Sequence, residues 1–187
     1  MNKSVEIMME EHQNILKMLS VVRKICLSVM RGDEINYEDF DAAMDFIRFY
    51  ADEHHHGKEE KFLFKEMQKS LGRFGENLIT HGMLIEHDYG RFYMQELREA
   101  LKRVKEGDEE SKLDVIANAI CYTHLLDRHI QKEDDVVYTF GMKNLSEEVM
   151  AEVDRLSEQF EKDASEAGTQ KKYMEILATL EKKYMTV

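Results

Sequence analysis

The sequence contains no proline and no tryptophan, and only nine of its 187 residues are glycine. Without proline nothing forces a kink or removes a backbone donor, so long uninterrupted helices are open to this chain. Its two cysteines, Cys26 and Cys121, stand apart with no CxxC spacing, which argues against a disulfide framework and against thiolate ligands. Strand-like runs rich in Val, Thr and aromatic residues are missing. So is any stretch approaching the roughly 18 apolar residues of a membrane span. The opening MNKSVEIMMEEH lacks the apolar run of an export signal. Positive charge is in deficit, with 26 Lys and Arg against 38 Asp and Glu and a net charge of −12. A phosphate backbone or an anionic membrane repels such a surface, so neither nucleic acid nor membrane is an expected partner. The expected location is the cytoplasm.

What is present points to helix. Leu, Glu, Lys, Met and Ala dominate, and each loses little freedom in a helix. The length suits one domain with a full-sized core. Short glycine-containing breaks fall at Arg31 to Asn36, Leu71 to Gly75, Glu106 to Asp108 and Gly141 to Asn144. They predict four long helices, at about 3–30, 37–69, 76–105 and 109–139. Breaks this short join antiparallel neighbours, so the expected fold is an all-α, up-down-up-down four-helix bundle over residues 1–142. Residues 143–187 form a charged, histidine-free extension, read as two helices split near Ala167 to Thr169. It is expected to pack on the bundle or on a partner.

Three apolar seams each contain a histidine. In the first helix Val5, Met8, His12, Ile15, Leu19, Val22, Cys26 and Val29 alternate spacings of three and four. The third helix repeats this through Met83, His87, Gly90, Met94, Leu97, Leu101 and Val104. The fourth does so through Val115, Ala119, Tyr122, Leu126, His129, Glu133, Val136 and Phe140. The second helix offers two registers, one through Met44, Ile47, Ala51, His55, Glu59 and Phe62, the other through Phe49, His56, Glu60, Leu63 and Met67. Periodicity does not choose between them.

Polar groups in apolar seams are costly unless paired or coordinated, and their depths coincide. His12 lies about 21 residues before the first turn, and His55 to Glu59 lie about 19–23 after it. Glu59 and His87 each lie about 12 residues from the second turn, on either side. His87 is about 19 residues before the third turn, and His129 to Glu133 lie about 21–25 after it. At about 1.5 Å rise per residue these groups share one layer within a turn or so. His-x-x-x-Glu puts both side chains on one helical face. By chance roughly one such pair is expected, yet His55/Glu59, His56/Glu60 and His129/Glu133 all occur. Four imidazoles and two carboxylates suit iron, manganese or zinc. Two carboxylates can bridge two metals capped by two histidines each, leaving room for dioxygen, peroxide or nitric oxide. The ferritin-like alternative needs Glu-x-x-His on two helices, and here that spacing occurs only at Glu53/His56.

Other candidates carry less. His81 and His124 point away from the seams. His54 and His56 flank His55 by about 100° on either side, and His56 is a candidate outer or additional ligand. Glu11, Glu53, Glu60, Glu86, Asp88 and Asp134 are expected to be solvated, unless one accepts a ligand's free N–H. Tyr122, Met8, Met83, Met94 and Cys26 read as core.

The stretch from Ala51 to Phe64, ADEHHHGKEEKFLF, resembles the HHGKEE…LF signature of the hemerythrin-like HHE cation-binding family. MLIEHDYGR around His87, HIQKED from His129 and EEHQNIL around His12 are similar to its other motifs, in the family's order over about residues 5–140. The resemblance implies a four-helix bundle with a non-haem centre of two iron ions, oxo- or hydroxo-bridged, with zinc or manganese as possible substitutes. Its ligands map onto His12, His55, Glu59, His87, His129 and Glu133, which selects the first register of the second helix. Members bind or sense oxygen, sense iron, respond to nitric oxide or assist iron–sulfur repair. The implied function is therefore a metal protein that binds or senses dioxygen, peroxide or nitric oxide, more a binding protein than an enzyme. The alternatives are a di-iron enzyme or iron donor, and an interaction module whose metal is structural. Met83 stands where oxygen-carrying hemerythrins have a further histidine, which leaves four core histidines rather than five and counts against reversible oxygen carriage. Lys65 replaces the family's proline, so the second helix is expected to run on unbroken, and His54 stands where close relatives often carry cysteine.

Overall fold

The computed structural model describes residues 2–185, and among these every regular element is helical. Six helices follow one another: α1 (Lys3–Met30), α2 (37–70), α3 (72–105), α4 (112–144), α5 (Glu147–Glu166) and α6 (Thr169–Tyr184). Side-chain caps start two of them. Asn36 accepts from the Asp39 backbone N–H at 3.1 Å, and Ser146 from that of Val149 at 3.3 Å. The tail divides at Gly168, whose φ of +75° is strained for residues with a Cβ.

Two apolar clusters set the topology. The larger takes Ile15 to Val29 of α1, Phe40 to Ala51 of α2, Leu97 to Val104 of α3 and Val115 to Ile130 of α4. The smaller takes Val5 and Met8 of α1, Leu63 to Met67 of α2, Ile79 and Met83 of α3, and Val137 and Tyr138 of α4. Along α1 and α3 the chain runs from the smaller cluster to the larger, and along α2 and α4 it returns. That alternation is an up-down-up-down bundle, and each of these four helices crosses the gap between the clusters at its histidines. The tail closes one side of the bundle. Asp154 of α5 accepts from the Ser4 backbone N–H at 2.9 Å and from its hydroxyl. Tyr173 of α6 packs edge-on against Phe46, with ring centroids 6.4 Å apart.

Two expectations shift. The fourth helix does not end at Gly141 but runs to Asn144. A Cβ on Gly141 would stand 3.1 Å from Met67 Sδ, so this glycine serves close packing of α4 on α2. The predicted inward positions Val136 and Phe140 also give way to Val137 and Tyr138, and Val136 is 54% exposed. The cause is a wider, i→i+5 bonded turn at Glu133–Val137, which takes up an extra residue and slips the seam by one. Similar wide turns occupy Ile47–His56 and Glu59–Leu63 of α2, where Leu63 and Phe64 are buried in preference to Phe62, and Ile79–Met83 of α3. The second helix otherwise continues through Lys65 without a break.

Candidate metal centre

The layer between the clusters holds all six residues singled out by depth and motif, each at most 1% exposed: His12, His55, Glu59, His87, His129 and Glu133. Ligating atoms of His12, His55, Glu59 and Glu133 lie within 4.8 Å of one another. A second group within the same limit is His56, His87 and His129. His56, only a side candidate from sequence, is therefore inside the site. Its ring stacks on that of His87, with centroids 3.8 Å apart and planes 8° from parallel. The wide turn of α2 explains this. With more residues per turn, neighbouring side chains diverge by less than the 100° of an α-helix, so His55 and His56 both face inward.

Each histidine turns Nδ1 to a carboxylate. His12 pairs with Asp134 at 2.7 Å, His55 with Glu11 at 2.8 Å, His87 with Glu60 at 2.7 Å and His129 with Glu86 at 2.8 Å. His56 Nδ1 lies 3.4 Å from Asp52. Four of the six acidic neighbours thus accept a histidine N–H and stitch adjacent helices together, while Glu53 and Asp88 pair with Arg48 and Arg91. A proton held on Nδ1 leaves Nε2 with a bare lone pair. Those lone pairs converge. His87 Nε2 and His129 Nε2 are 3.0 Å apart, and His12 Nε2 is 3.3 Å from Glu133 Oε2.

The two glutamates span both groups. Glu133 Oε2 faces His12, whereas its Oε1 lies 3.0 Å from His129 Nε2 and 3.8 Å from His87 Nε2. Glu59 Oε2 lies 3.7 Å from Nε2 of both His55 and His87. Glu59 Oε1 instead accepts a 2.6 Å hydrogen bond from Tyr138, whose ring lies nearly parallel to that of His12. The slipped seam hides Tyr138 from the sequence pattern, and Asp52 lies outside both registers offered for the second helix. His81 and His124 are exposed, as expected, and His124 contacts Arg23.

Burial and mutual charge set the electrostatics of the layer. Burial and the charge of Glu133 push the Glu59 carboxyl up to about 8. Burial opposes ionisation of Glu133 as well, but the charge of His129 and the close approach of the His12 and His87 rings hold it well below the usual range. Burial lowers His12, yet its hydrogen bond to Asp134 and the neighbouring Glu133 carboxylate outweigh this and raise it to about 9. His87 and His129 rise likewise to about 9 and about 10, against burial, through Glu133, Glu59 and their Nδ1 carboxylates. His55 is carried down to about 4 by burial and by the charge of His12. Buried polar atoms are normally hydrogen-bonded. Here His55 Nε2, Glu59 Oε2 and both oxygens of Glu133 have no hydrogen-bond partner, and all four lie in this layer. Imidazole and carboxylate donors aimed inward and left unpaired fit divalent transition metals.

An outer network continues from Glu11. Its carboxylate also pairs with His54 Nε2 at 2.9 Å and with the ammonium of Lys58, which in turn bonds Glu161 of α5. On the opposite side Arg91 bridges Asp52 and Glu60 at 2.7 Å, and Lys132 pairs with Glu86. No helix among the described residues is long and apolar enough to cross a membrane. A family model, the hemerythrin HHE cation binding domain, matches residues 3–140. No curated protein and no solved structure matches the chain.

Proposed function

The chain belongs to the hemerythrin HHE cation-binding family, and on that premise we propose that it holds two iron ions in this layer and binds dioxygen, peroxide or nitric oxide there. His12 and His55 would hold one ion and His56, His87 and His129 the other, with the Glu59 and Glu133 carboxylates available to both. The convergence of unpartnered imidazole and carboxylate atoms between two apolar clusters carries this reading. His56 brings the core histidines to five. The fifth comes from α2, not from the α3 position that Met83 occupies, so the argument against reversible ligand binding loses its force.

Bound iron supplies the electrons and the small-ligand affinity that side chains lack. The protein supplies the rest. The Nδ1 carboxylates fix each imidazole's tautomer and orientation. The apolar clusters above and below exclude water and keep the interior dielectric low. The Tyr138 hydroxyl, kept neutral by burial and by the charges of Glu59 and Glu133, holds a proton on Glu59 Oε1 and 3.4 Å from His12 Nε2.

Anaerobic ferrous loading followed by metal analysis tests the proposal. Two irons per chain are expected, with near-ultraviolet charge-transfer bands of a bridged ferric pair after exposure to air. Glu133→Ala removes one of the two carboxylates that face both groups and is expected to bring iron below one per chain. Two irons retained in that variant, or none bound by the unmodified protein, overturns the reading.

A further inference from the structure

Beside the histidine layer lies a cavity of about 360 Å³ between α2, α3 and α4, within the roughly 300–1,000 Å³ of small-molecule sites. That is far more room than a diatomic ligand needs. Met44, Ile47 and Met94 give it apolar walls, and one end reaches the rings of His56 and His87. Tyr122 forms another part of the wall. It is 2% exposed, and its hydroxyl has no hydrogen-bond partner among the described residues. Burial holds the phenol well above its ordinary range, which keeps it a donor.

Charge at the mouth narrows the ligand class. Arg98 lines the cavity, is exposed and makes no ion pair among the described residues. Arg48 lines it too, held only by a 3.4 Å contact to Glu53 and by stacking on Phe49. In a chain of net charge −12 an arginine left without an ion pair over an apolar pocket is available to a ligand's anionic group. Asp52 and Glu99 also lie on the rim, so a dianionic phosphate meets about twice the repulsion that a single carboxylate does.

We propose that this cavity binds a small organic carboxylate, its apolar body against Met44, Ile47 and Met94 and its anionic end at Arg98 and Arg48. The site rests on pocket shape and surface charge and does not depend on iron. Octanoate and 1-octanol are the probes, titrated calorimetrically into the full-length protein as purified and again after iron loading. Failure of the metal reading therefore leaves this test intact. Octanoate is expected to bind saturably with Kd on the order of 0.1 mM, and octanol about fivefold or more weakly. Arg98→Gln is expected to weaken octanoate about fivefold and leave octanol unchanged. Met94→Trp fills the cavity and is expected to abolish both, with its thermal midpoint recorded to show that it folds. Absence of saturation by octanoate below about 10 mM, equal affinity for octanol, or undiminished binding in either variant of a folded protein overturns the proposal.

Discussion

The two halves of the histidine layer use the same device in opposite surroundings. On the His12/His55 side the stitching runs inward. Glu11 is 6% exposed, Lys58 is fully enclosed, and Glu161 of α5 lies over both. On the His87/His129 side it runs outward, through Glu60, Arg91 at 40% exposure and Lys132 at 45%. An ion pair in low dielectric is worth several times its solvated counterpart, and breaking it costs correspondingly more. The tail helices make this difference, because α5 roofs one half and leaves the other open beside the cavity. One half is sealed, and the other borders the cavity.

The sharpest way to break this contrast is Lys58→Met. It leaves Glu11 and Glu161 facing each other with only His54, 2.9 and 3.2 Å from them, to balance their charge. Loss of about 3 kcal/mol is expected, read by urea unfolding of the metal-free protein. Adding Glu161→Gln should restore part of it by removing one of the stranded charges. A single-variant loss under about 1 kcal/mol would mean that the roofed half is no more buried, in energetic terms, than a surface pair.

A pH series sharpens the comparison from the side of the ligands. In the metal-free protein His12, His87 and His129 titrate at about 9, 9 and 10, above their unfolded values. Their contribution is fully present below about pH 6.5 and is lost as pH rises through 9. Glu59, raised to about 8, binds its proton more tightly folded than unfolded and acts in the same direction. His55, lowered to about 4, and His56, carried well below its ordinary value by burial and by the charge of His87, act oppositely and together outweigh Glu59, so stability falls as pH drops below about 6.5. Metal-free protein should therefore be most stable near pH 6.5 and lose on the order of 5 °C in Tm by pH 9. Bound metal takes the place of those protons, and the alkaline decline should vanish in loaded protein. Identical profiles with and without metal would show that metal does not displace them.

Much of this was legible before any coordinates, and the misses share one cause. Turn positions and the three-four seams place His12, His55, Glu59, His87, His129 and Glu133 in one layer, since distance along a helix is simply residue count. Which way a side chain faces is also countable, but only while the helix keeps 3.6 residues per turn. The wide turns at Ile47–His56 and Glu133–Val137 break that rule beside the site, bringing in His56 and Tyr138 and turning Val136 out. No propensity in the sequence announces such a turn, and its hydrogen bonding is settled by what the helix must point at. Gly141 misled for a related reason. A glycine that ends a helix and one that admits a neighbouring methionine look alike in a string of letters.

The smallest effect belongs to Arg91→Ala. The guanidinium holds Asp52 and Glu60, which in turn face His56 and His87, so its position resembles that of Lys58 on the other side. It differs in being 40% exposed, with water ready to replace it at both carboxylates. Its removal should cost no more than about 1 kcal/mol of folding stability. The effect on metal should be modest too. Loss of a direct outer-shell partner weakens metal binding about 10- to 100-fold, and Arg91 acts one step further out, through partners that keep their own hydrogen bonds. Competition with a chelator should therefore show one metal weakened less than about tenfold and the other, at His12/His55, unchanged. Equal weakening of both ions would mean that Glu59 and Glu133 transmit strain across the layer, and the two halves would then be one unit.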